Sequence, residues 1–229
     1  MKSILAIIAA SPLLLLTLNA LIYKWPYELP SKDLPKEVRF KEFSDVMNHY
    51  GDGYDWEPHE VITEDGYILN MFRLTANELG EPITAPKGPL FLQHGLTVNA
   101  ANWFTGKTTQ LASSLPIVLA RAGYDVWLGN TRGTNFSLGH TKLDPYIGKG
   151  YWDFSWAELG KYDLSAMIDY VYNYTESKQI SYVGHSQGTT AMFYGLAHND
   201  QEDFAAKLKQ VVAIAPCFVI DMNDPRIPA

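Results

Sequence analysis

Residues 184–188 read Gly-His-Ser-Gln-Gly, a spacing typical of covalent catalysis by serine. They follow an apolar run at 180–183 and precede a helix-forming stretch at 189–196. In the nucleophile elbow, a strained turn between a strand and a helix presents the serine oxygen above a sheet. Side chains at either glycine would collide with the neighbouring strand or helix. We therefore predict that Ser186 is a nucleophile, with a glycine-flanked surface turn as the alternative.

Acyl transfer by serine also needs hydrogen-bond donors for the oxyanion that forms on the attacked carbonyl. One donor is normally the backbone N–H of the residue after the nucleophile, here Gln187. The second comes from the loop after an earlier strand, and the His-Gly-Leu segment 94–96 follows such a strand. Gly95 lets the backbone turn its amides toward the site, so we assign the second donor to the N–H of Leu96. An ordinary strand-to-loop turn is the alternative.

The histidine base of a serine triad is not found. In folds with this elbow, the acid and then the histidine follow the serine along the chain. Only His198 follows Ser186, and twelve residues of helix would separate the two by ~18 Å. We expect His94 to hydrogen bond locally and support its loop, and His185 to point away from Ser186. The remaining histidines precede the nucleophile: His49, His59 and His140.

The triad acid is not found either. Asp221 and Asp224 follow the last predicted strand and are conceivable acids, but such positions are typical of solvated loops. Asp163 and Asp169 precede the elbow strand, where we predict an N-cap and a solvent-facing position, respectively. We expect Arg132 to brace its loop by pairing with a carboxylate. Binding of a lipid carboxylate is the alternative for Arg132.

The elements that must position these residues alternate between strand and helix after residue 89. Predicted strands cover 89–93, 124–128, 180–183 and 210–215, and predicted helices cover 111–123, 164–171 and 189–196. This alternation predicts an α/β fold, a mostly parallel sheet with helices on both faces. An Asp-Gly turn at 65–66 between two apolar runs predicts an antiparallel hairpin before it.

The chain divides into four predicted segments. Residues 1–22 form a signal peptide or signal anchor, and residues 23–42 form a Pro-rich linker or surface arm. Residues 43–88 contain a short helix and the hairpin, and residues 89–229 contain the α/β core.

Lys2 and the apolar run 4–22 are typical of a secretory signal, with a potential cleavage site after Ala20. The run approaches the ~20 residues that span a bilayer, so an uncleaved anchor and membrane association through residues 4–22 are the alternative. Both interpretations place the chain in the secretory pathway. Glycosylation sequons at Asn135 and Asn173 agree with that location.

Composition narrows the classes of function. The chain of 229 residues has a formal net charge of −7, which argues against nucleic acid as a partner. It contains neither a zinc-spaced Cys/His cluster nor a phosphate-binding Gly-rich loop, so we expect no metal and no cofactor. The single cysteine, Cys217, lies in an apolar run, and we predict that it is a buried small apolar residue.

The elbow and four other segments together resemble the acid lipases, the family of gastric and lysosomal acid lipases and steryl-ester hydrolases. The five segments are 60–69, 94–96, 125–133, 161–164 and 184–190, and the similarity runs from about residue 43 to 216. The resemblance implies an α/β-hydrolase fold and cofactor-free hydrolysis of triacylglycerols or steryl esters at a lipid–water interface. It also implies a secreted or lysosomal location, with Ser186 as nucleophile and Leu96 and Gln187 as oxyanion donors.

The same resemblance implies a C-terminal part that we do not find in the sequence. Family members continue past the sixth strand into a cap, the last strands, and the catalytic Asp and His. Without them, we expect an open sheet edge and only residual catalysis from the chain as written. Besides a lipase, a non-catalytic lipid-binding or truncated fragment remains open. Another serine hydrolase, such as a thioesterase or peptidase, fits the aromatic loop 134–154 and the family pattern less well.

Overall fold

The computed structural model describes residues 32–105, 113–147, 149–199 and 201–217, except for the side chains of residues 201 and 202. The expected signal segment 1–22 lies outside the described residues, as do Asp221 and Asp224. The compact unit that contains the sheet begins at Pro35. Within the described ranges, no helix has both the length and the apolar character needed to cross a membrane.

The helices are numbered in chain order. They are α1 (Lys36–Arg39), α2 (Lys41–Tyr50), α3 (Asn102–Thr105), α4 (Leu115–Arg121), α5 (Trp156–Glu158), α6 (Leu164–Thr175), α7 (Gln187–His198) and α8 (Gln201–Ala206). One π-helical turn, Leu159–Asp163, joins α5 to α6.

The strands form one mixed sheet. They are β1 (Asp55–Ile62), β2 (Tyr67–Ala76), β3 (Pro89–Gln93), β4 (Asp125–Gly129), β5 (Gly139–His140), β6 (Ile180–His185) and β7 (Leu208–Ile214). The strand order is β1-β2-β4-β3-β6-β7, and the short β5 pairs with β2. Strands β4, β3, β6 and β7 are parallel, whereas the β1–β2 hairpin joins β4 in antiparallel fashion.

Helices cover both faces of the sheet, so the predicted α/β architecture with an antiparallel hairpin is confirmed. On one face, Phe43 of α2, Phe104 of α3 and Ile117 of α4 pack in a single core and are fully buried. On the other face, Met167 of α6 and Met192 of α7 belong to a second core and are also fully buried. Two cores on opposite faces hold the carboxyl edge of the parallel strands in place, and the elbow lies at that edge.

The helix face that periodicity predicts in α6 is confirmed. Four apolar residues lie on one face of α6, and none of them is exposed to solvent: Leu164, Met167, Ile168 and Val171. The hairpin turn is also as predicted, because Gly66 has a φ of +100° and its N–H donates to the Thr63 carbonyl.

Several boundaries differ from the sequence expectations. Helix α4 begins at Leu115, with Pro116 in its first turn. The last strand runs from Leu208 to Ile214, so it begins two residues and ends one residue earlier than predicted. The described part of the Pro-rich arm contains α1, and Phe40 just after it is 4% exposed in the first core. Burial of this aromatic ring gives the segment more order than its composition predicts.

Candidate active site

The predicted order of strand, sharp turn and helix around Ser186 is present between β6 and α7. Ser186 has a φ of 50° and a ψ of −117°, backbone angles that are strained for any residue with a side chain. Its N–H donates to the Ile214 carbonyl at 2.9 Å, and its own carbonyl accepts from the N–H and the Oγ1 of Thr189 at 2.9 and 2.6 Å. These bonds from β7 and α7 hold the turn in its strained form. The N-terminus of α7 directly after Ser186 favours negative charge at the turn.

The two glycines of the elbow are required by close backbone contacts. A Cβ on Gly184 would lie 2.9 Å from the backbone carbon of Gly188. A Cβ on Gly188 would lie 2.7 and 2.8 Å from the carbonyl oxygens of Gln93 and His94. The predicted steric reason for both glycines is therefore confirmed, because α7 packs directly on the end of β3.

The loop after β3 lies against Ser186. A Cβ on Gly95 would be only 3.1 Å from the Cβ of Ser186. His94 is 4% exposed, and its Nδ1–H donates to the Gly95 carbonyl at 2.8 Å while its Nε2 accepts from the N–H of Thr131 at 3.3 Å. Burial lowers the pKa of His94 to about 4, so the ring is neutral. The predicted local support role of His94 is confirmed, and both of its ring nitrogens are engaged away from Ser186.

A pocket of about 590 Å³ opens beside the elbow. Both residues predicted to supply oxyanion donors, Leu96 and Gln187, line it. The rest of its lining comes from residues of the segments 94–99, 131–135 and 152–159, the last of which reaches the π-helical turn. The structure thus brings the candidate donors from two distant segments to one cavity, next to the strained serine.

Arg132, which lines this pocket, forms a buried ion-pair cluster. Its guanidinium donates to the Asp65 carboxylate at 2.6 and 2.9 Å and to Asp163 at 2.7 Å, and its carbon lies 3.8 Å from the centre of the Tyr67 ring. The predicted pairing of Arg132 with a carboxylate is confirmed. All three guanidinium nitrogens have protein partners, which disfavours the alternative that Arg132 binds a lipid carboxylate.

The predicted N-cap role of Asp163 is wrong. Its carboxylate does not cap α6, because it accepts hydrogen bonds from the N–H and the Nε of Arg132 at 2.8 and 2.7 Å. Asp163 has no solvent exposure, and this burial raises its pKa to about 7 even though Arg132 opposes the shift. Burial also disfavours ionisation of Asp65, but the hydrogen bonds from Arg132 and Thr63 outweigh it and lower the pKa of Asp65.

Asp169 keeps a partly solvent-facing position, as predicted, with its side chain 44% exposed and 2.7 Å from Lys207 Nζ. The sequence did not identify Asp65 and Asp163 as the carboxylates that pair with Arg132. The signals in the sequence were Arg132, which follows a predicted strand, and Asp163, which precedes the buried face of a predicted helix. The two residues are 31 positions apart.

Cys217 is exposed, so the prediction that it is a buried apolar residue is wrong. After β7 the chain turns over the first turn of α7, where the Cys217 N–H donates to Thr189 Oγ1 at 3.3 Å and its carbonyl accepts from Thr190 Oγ1 at 2.7 Å. These bonds leave Cys217 Sγ 3.9 Å from Ser186 Oγ. Sequence reasoning missed this contact because the apolar run around Cys217 extends past the strand into the loop.

The histidines lie at several places in the structure, and none forms a hydrogen bond with Ser186 among the described residues. His198 stacks on Tyr194 of α7 at 3.9 Å, and His140 packs against Tyr67 near the hairpin. His59 hydrogen bonds to Tyr170 at 3.0 Å. The ring of His185 lies 6.3 Å from that of Trp103, on the side of α3.

The two sequon asparagines are exposed. Asn135 lies at the pocket, where its amide nitrogen donates to Glu42 and its oxygen accepts from Asn99 at 2.8 Å. Asn173 lies in the last turns of α6, away from the pocket lining.

Two family descriptions match the chain. A partial α/β-hydrolase lipase region matches residues 43–107, and the α/β hydrolase fold matches residues 88–228. Among similar proteins, lipase member K of Mus musculus is 43% identical over 173 residues, covering 76% of this chain and 42% of the relative. The chain belongs to the α/β-hydrolase family.

Two further lipases have similar identity. The gastric triacylglycerol lipase of Homo sapiens is 42% identical over 164 residues, covering 72% of this chain and 40% of the relative. The lysosomal acid lipase/cholesteryl ester hydrolase of Homo sapiens is 39% identical over 173 residues, covering 76% of this chain and 41% of the relative. The predicted family is confirmed. The chain spans about two fifths of the length of these relatives.

Proposed function

We propose that this chain supplies the nucleophile and the oxyanion donors of a lipid ester hydrolase that acts on triacylglycerols or steryl esters. The observation that carries the proposal is Ser186, held at a φ of 50° between β6 and α7 beside the 590 Å³ pocket. The names of the gastric and lysosomal relatives supply the substrate class. The similarity to these lipases favours this function over a thioesterase or peptidase.

In the proposed reaction, Ser186 Oγ attacks the ester carbonyl carbon and forms a tetrahedral oxyanion. The backbone N–H groups of Leu96 and Gln187 donate to that oxyanion, and one such donor contributes on the order of 3 kcal/mol to transition-state stabilisation. The bond from the carbonyl carbon to the alcohol oxygen then breaks, and the proton of Ser186 leaves with the alcohol by way of a base. Water subsequently cleaves the acyl-enzyme and releases the fatty acid.

The base must be a group other than the histidines described above. His94 uses both ring nitrogens in its own loop, and His198 lies on α7 stacked against Tyr194. We therefore propose that a histidine and its carboxylate partner from outside these 229 residues complete the triad. No metal or organic cofactor takes part in the proposed chemistry.

We further propose that the protein works in the secretory pathway, as a secreted or lysosomal protein at a lipid–water interface. The sequons at Asn135 and Asn173 are proposed glycosylation sites, and the exposure of both side chains supports this. Residues 1–22 are the proposed signal or anchor, residues 43–88 the N-terminal lipase-associated region, and residues 89–229 the catalytic core.

Labelling with a fluorophosphonate tests the nucleophile. In a chain extended to the full length of the family, we expect one adduct, located on Ser186 by peptide mass spectrometry and lost in Ser186→Ala. The 229-residue chain should label at a much lower rate, because loss of the triad base removes most of the catalytic acceleration. An extended chain that hydrolyses lipid esters without an adduct on Ser186 would exclude the proposed nucleophile.

A non-catalytic lipid-binding role is the second candidate. It is favoured by one observation: within the described part of the chain, the hydrogen-bond partner of Ser186 Oγ is the thiol of Cys217, which is not a general base for serine. This role predicts that the 229-residue chain binds lipid esters without turnover. It also predicts that Ser186→Ala binds them as the parent does.

A further inference from the structure

The pocket beside the elbow has one apolar side. Trp152, Phe154, Trp156 and Leu159 lie together in its lining, and we call these four residues the aromatic wall. The three aromatic residues precede the π-helical turn that leads into α6, and Leu159 is the first residue of that turn. Their side chains therefore face the same cavity as Gln187, the candidate oxyanion donor of the elbow.

Packing holds the first two rings of the aromatic wall in place. A Cβ on Gly133 would lie 2.8 Å from the ring of Trp152 and 3.0 Å from that of Phe154, so both rings rest on this glycine. The indole N–H of Trp152 donates to the Pro145 carbonyl at 2.8 Å. The polar atom of this indole is thus satisfied, and the part of the ring that stays exposed is apolar.

The third ring is positioned by a capping box. The Ser155 N–H donates to the Glu158 carboxylate at 2.7 Å, and Ser155 Oγ accepts from the N–H of Ala157 at 3.1 Å. This cap fixes the backbone of α5, and the Trp156 ring packs edge-on against Tyr194 of α7 with 5.5 Å between ring centres. The aromatic wall is therefore a preformed surface rather than a loose loop.

Both tryptophans of the wall are nevertheless about half exposed, Trp152 at 52% and Trp156 at 48%. Large apolar rings that line a cavity and remain in contact with solvent are typical of ligand-binding surfaces. A ligand that covers them removes apolar area from water, which favours binding of a hydrocarbon.

The remainder of the lining is mostly polar. Asn99 and Asn135 line the cavity and hydrogen bond to each other at 2.8 Å, and both also bond to Glu42 of α2. A ligand with apolar groups on all sides, such as a sterol ring system, would remove these polar groups from water and give them no new hydrogen bonds in return. A single linear hydrocarbon chain along the aromatic wall avoids that cost.

We propose that the fatty acyl chain of the ester lies along the aromatic wall and that the alcohol part lies outside it. The proposal deepens the proposed function and rests on it for the chemistry, although acyl binding itself does not need the serine oxygen. Each methylene that contacts the wall is expected to raise affinity by about fourfold, the factor that corresponds to ~0.8 kcal/mol per buried CH₂.

Tryptophan fluorescence tests this location directly. The 229-residue chain carrying Ser186→Ala, which cannot form an acyl-enzyme, is titrated with a methyl stearate that bears a nitroxide on the acyl chain. The nitroxide quenches indoles that it touches. We expect saturable quenching that falls by about half or more when Trp152→Phe and Trp156→Phe are combined, because the fully buried Trp127 and the 4% exposed Trp56 lie in the two cores.

Two matched controls accompany the double variant. Trp103→Phe removes an indole near the elbow that does not line the pocket, and it should keep the quenching. Leu79→Ala removes an apolar side chain that is 76% exposed far from the pocket lining, and the affinity for the probe should not change. Near-ultraviolet circular dichroism checks folding, and each single Trp→Phe variant gives a second, independent reading.

Two outcomes overturn the acyl assignment. One is quenching that persists unchanged in the folded double or single variants. The other is equal or stronger quenching of Trp152 and Trp156 by a nitroxide-labelled cholestane, which would assign the wall to a sterol. Failure of fluorophosphonate labelling at Ser186 with tryptophan-dependent quenching intact would instead reject the proposed function and keep the acyl-binding wall.

Discussion

At the residue scale, the contact between Cys217 and Ser186 sets this site apart. The sulfur lies 3.9 Å from the serine oxygen on an exposed loop that two threonines of α7 hold in place. A thiol does not take a proton from serine in the way that imidazole does, so the contact gives no catalytic group. It does place a chemically modifiable atom next to the proposed nucleophile.

Alkylation of Cys217 should therefore hinder Ser186. The chain has a single cysteine, so iodoacetamide adds one group, at this position. We expect the rate of fluorophosphonate labelling of Ser186 to fall by up to about 100-fold, the effect of a displacement of about 1 Å at a reacting centre. Cys217→Ala should label at the unmodified rate with or without iodoacetamide. An unchanged labelling rate after complete alkylation would contradict the observed proximity.

At the element scale, the elbow depends on how closely α7 approaches β3. The carbonyl oxygens of Gln93 and His94 lie where a side chain at Gly188 would be. Because those oxygens belong to the backbone of β3 and of the residue that follows it, they cannot move aside as a flexible side chain could. The position of Ser186 therefore follows from the packing of a helix on a strand end as well as from the local turn.

Substitution Gly188→Ala tests that packing. In a helix without tertiary contacts, Gly→Ala stabilises by about 1 kcal/mol. Here we expect destabilisation by about 1–3 kcal/mol, the usual cost of overpacking, together with loss of Ser186 labelling. Urea unfolding measures the first effect and fluorophosphonate labelling the second.

Gly80→Ala is the matched control. Gly80 has a φ of +74°, and no heavy atom lies within 4 Å of its added Cβ, so this variant carries backbone strain without a clash. It should lose about 1–2 kcal/mol of stability and keep Ser186 labelling. A stabilised Gly188→Ala protein would show that α7 does not press on β3 as described.

At the scale of the whole molecule, two buried groups should give opposite contributions to the pH dependence of stability. His94 has a pKa of about 4 in the folded state against an ordinary 6.5. Between pH 4 and pH 6.5 its imidazole is therefore protonated in the unfolded chain and neutral in the folded chain. Asp163 has a folded-state pKa of about 7 against an ordinary 3.8. Between these two pH values its carboxyl group is therefore protonated in the folded chain and ionised in the unfolded chain. Stability from His94 is lost as pH falls from 6.5 to 4, and stability from Asp163 is lost as pH rises from 4 to 7.

Differences between the wild type and single variants separate the two effects. Relative to His94→Gln, the wild type should gain stability as pH rises from 4.5 to 6.5. Relative to Asp163→Asn, which keeps an acceptor for Arg132, it should lose stability over the same range. The limiting slope is about 1.4 kcal/mol per pH unit in each case. Urea unfolding at several pH values measures both, and two differences of the same sign would contradict the assigned pKa directions.

Much of the fold could be predicted from the sequence because its signals are local. The Asp-Gly turn at 65–66 specifies the hairpin, and the recurrence of apolar residues from Leu164 to Val171 specifies the buried face of α6. The spacing of two glycines around Ser186 specifies the elbow. Each pattern spans fewer than about ten residues, so turn geometry and periodicity alone determine it.

Contacts between distant segments were decided only by the tertiary structure. Asp163 meets Arg132 across 31 residues and Asp65 meets it across 67, so no local pattern shows that Asp163 is an ion-pair partner rather than a helix cap. Cys217 likewise reaches Ser186 only because β7 pairs with β6 and the chain then turns over α7. The sequence alone determined where the proposed nucleophile and its turn lie. Burial and ion pairing depend on which segments the sheet order makes neighbours, so only the folded chain determined what surrounds them.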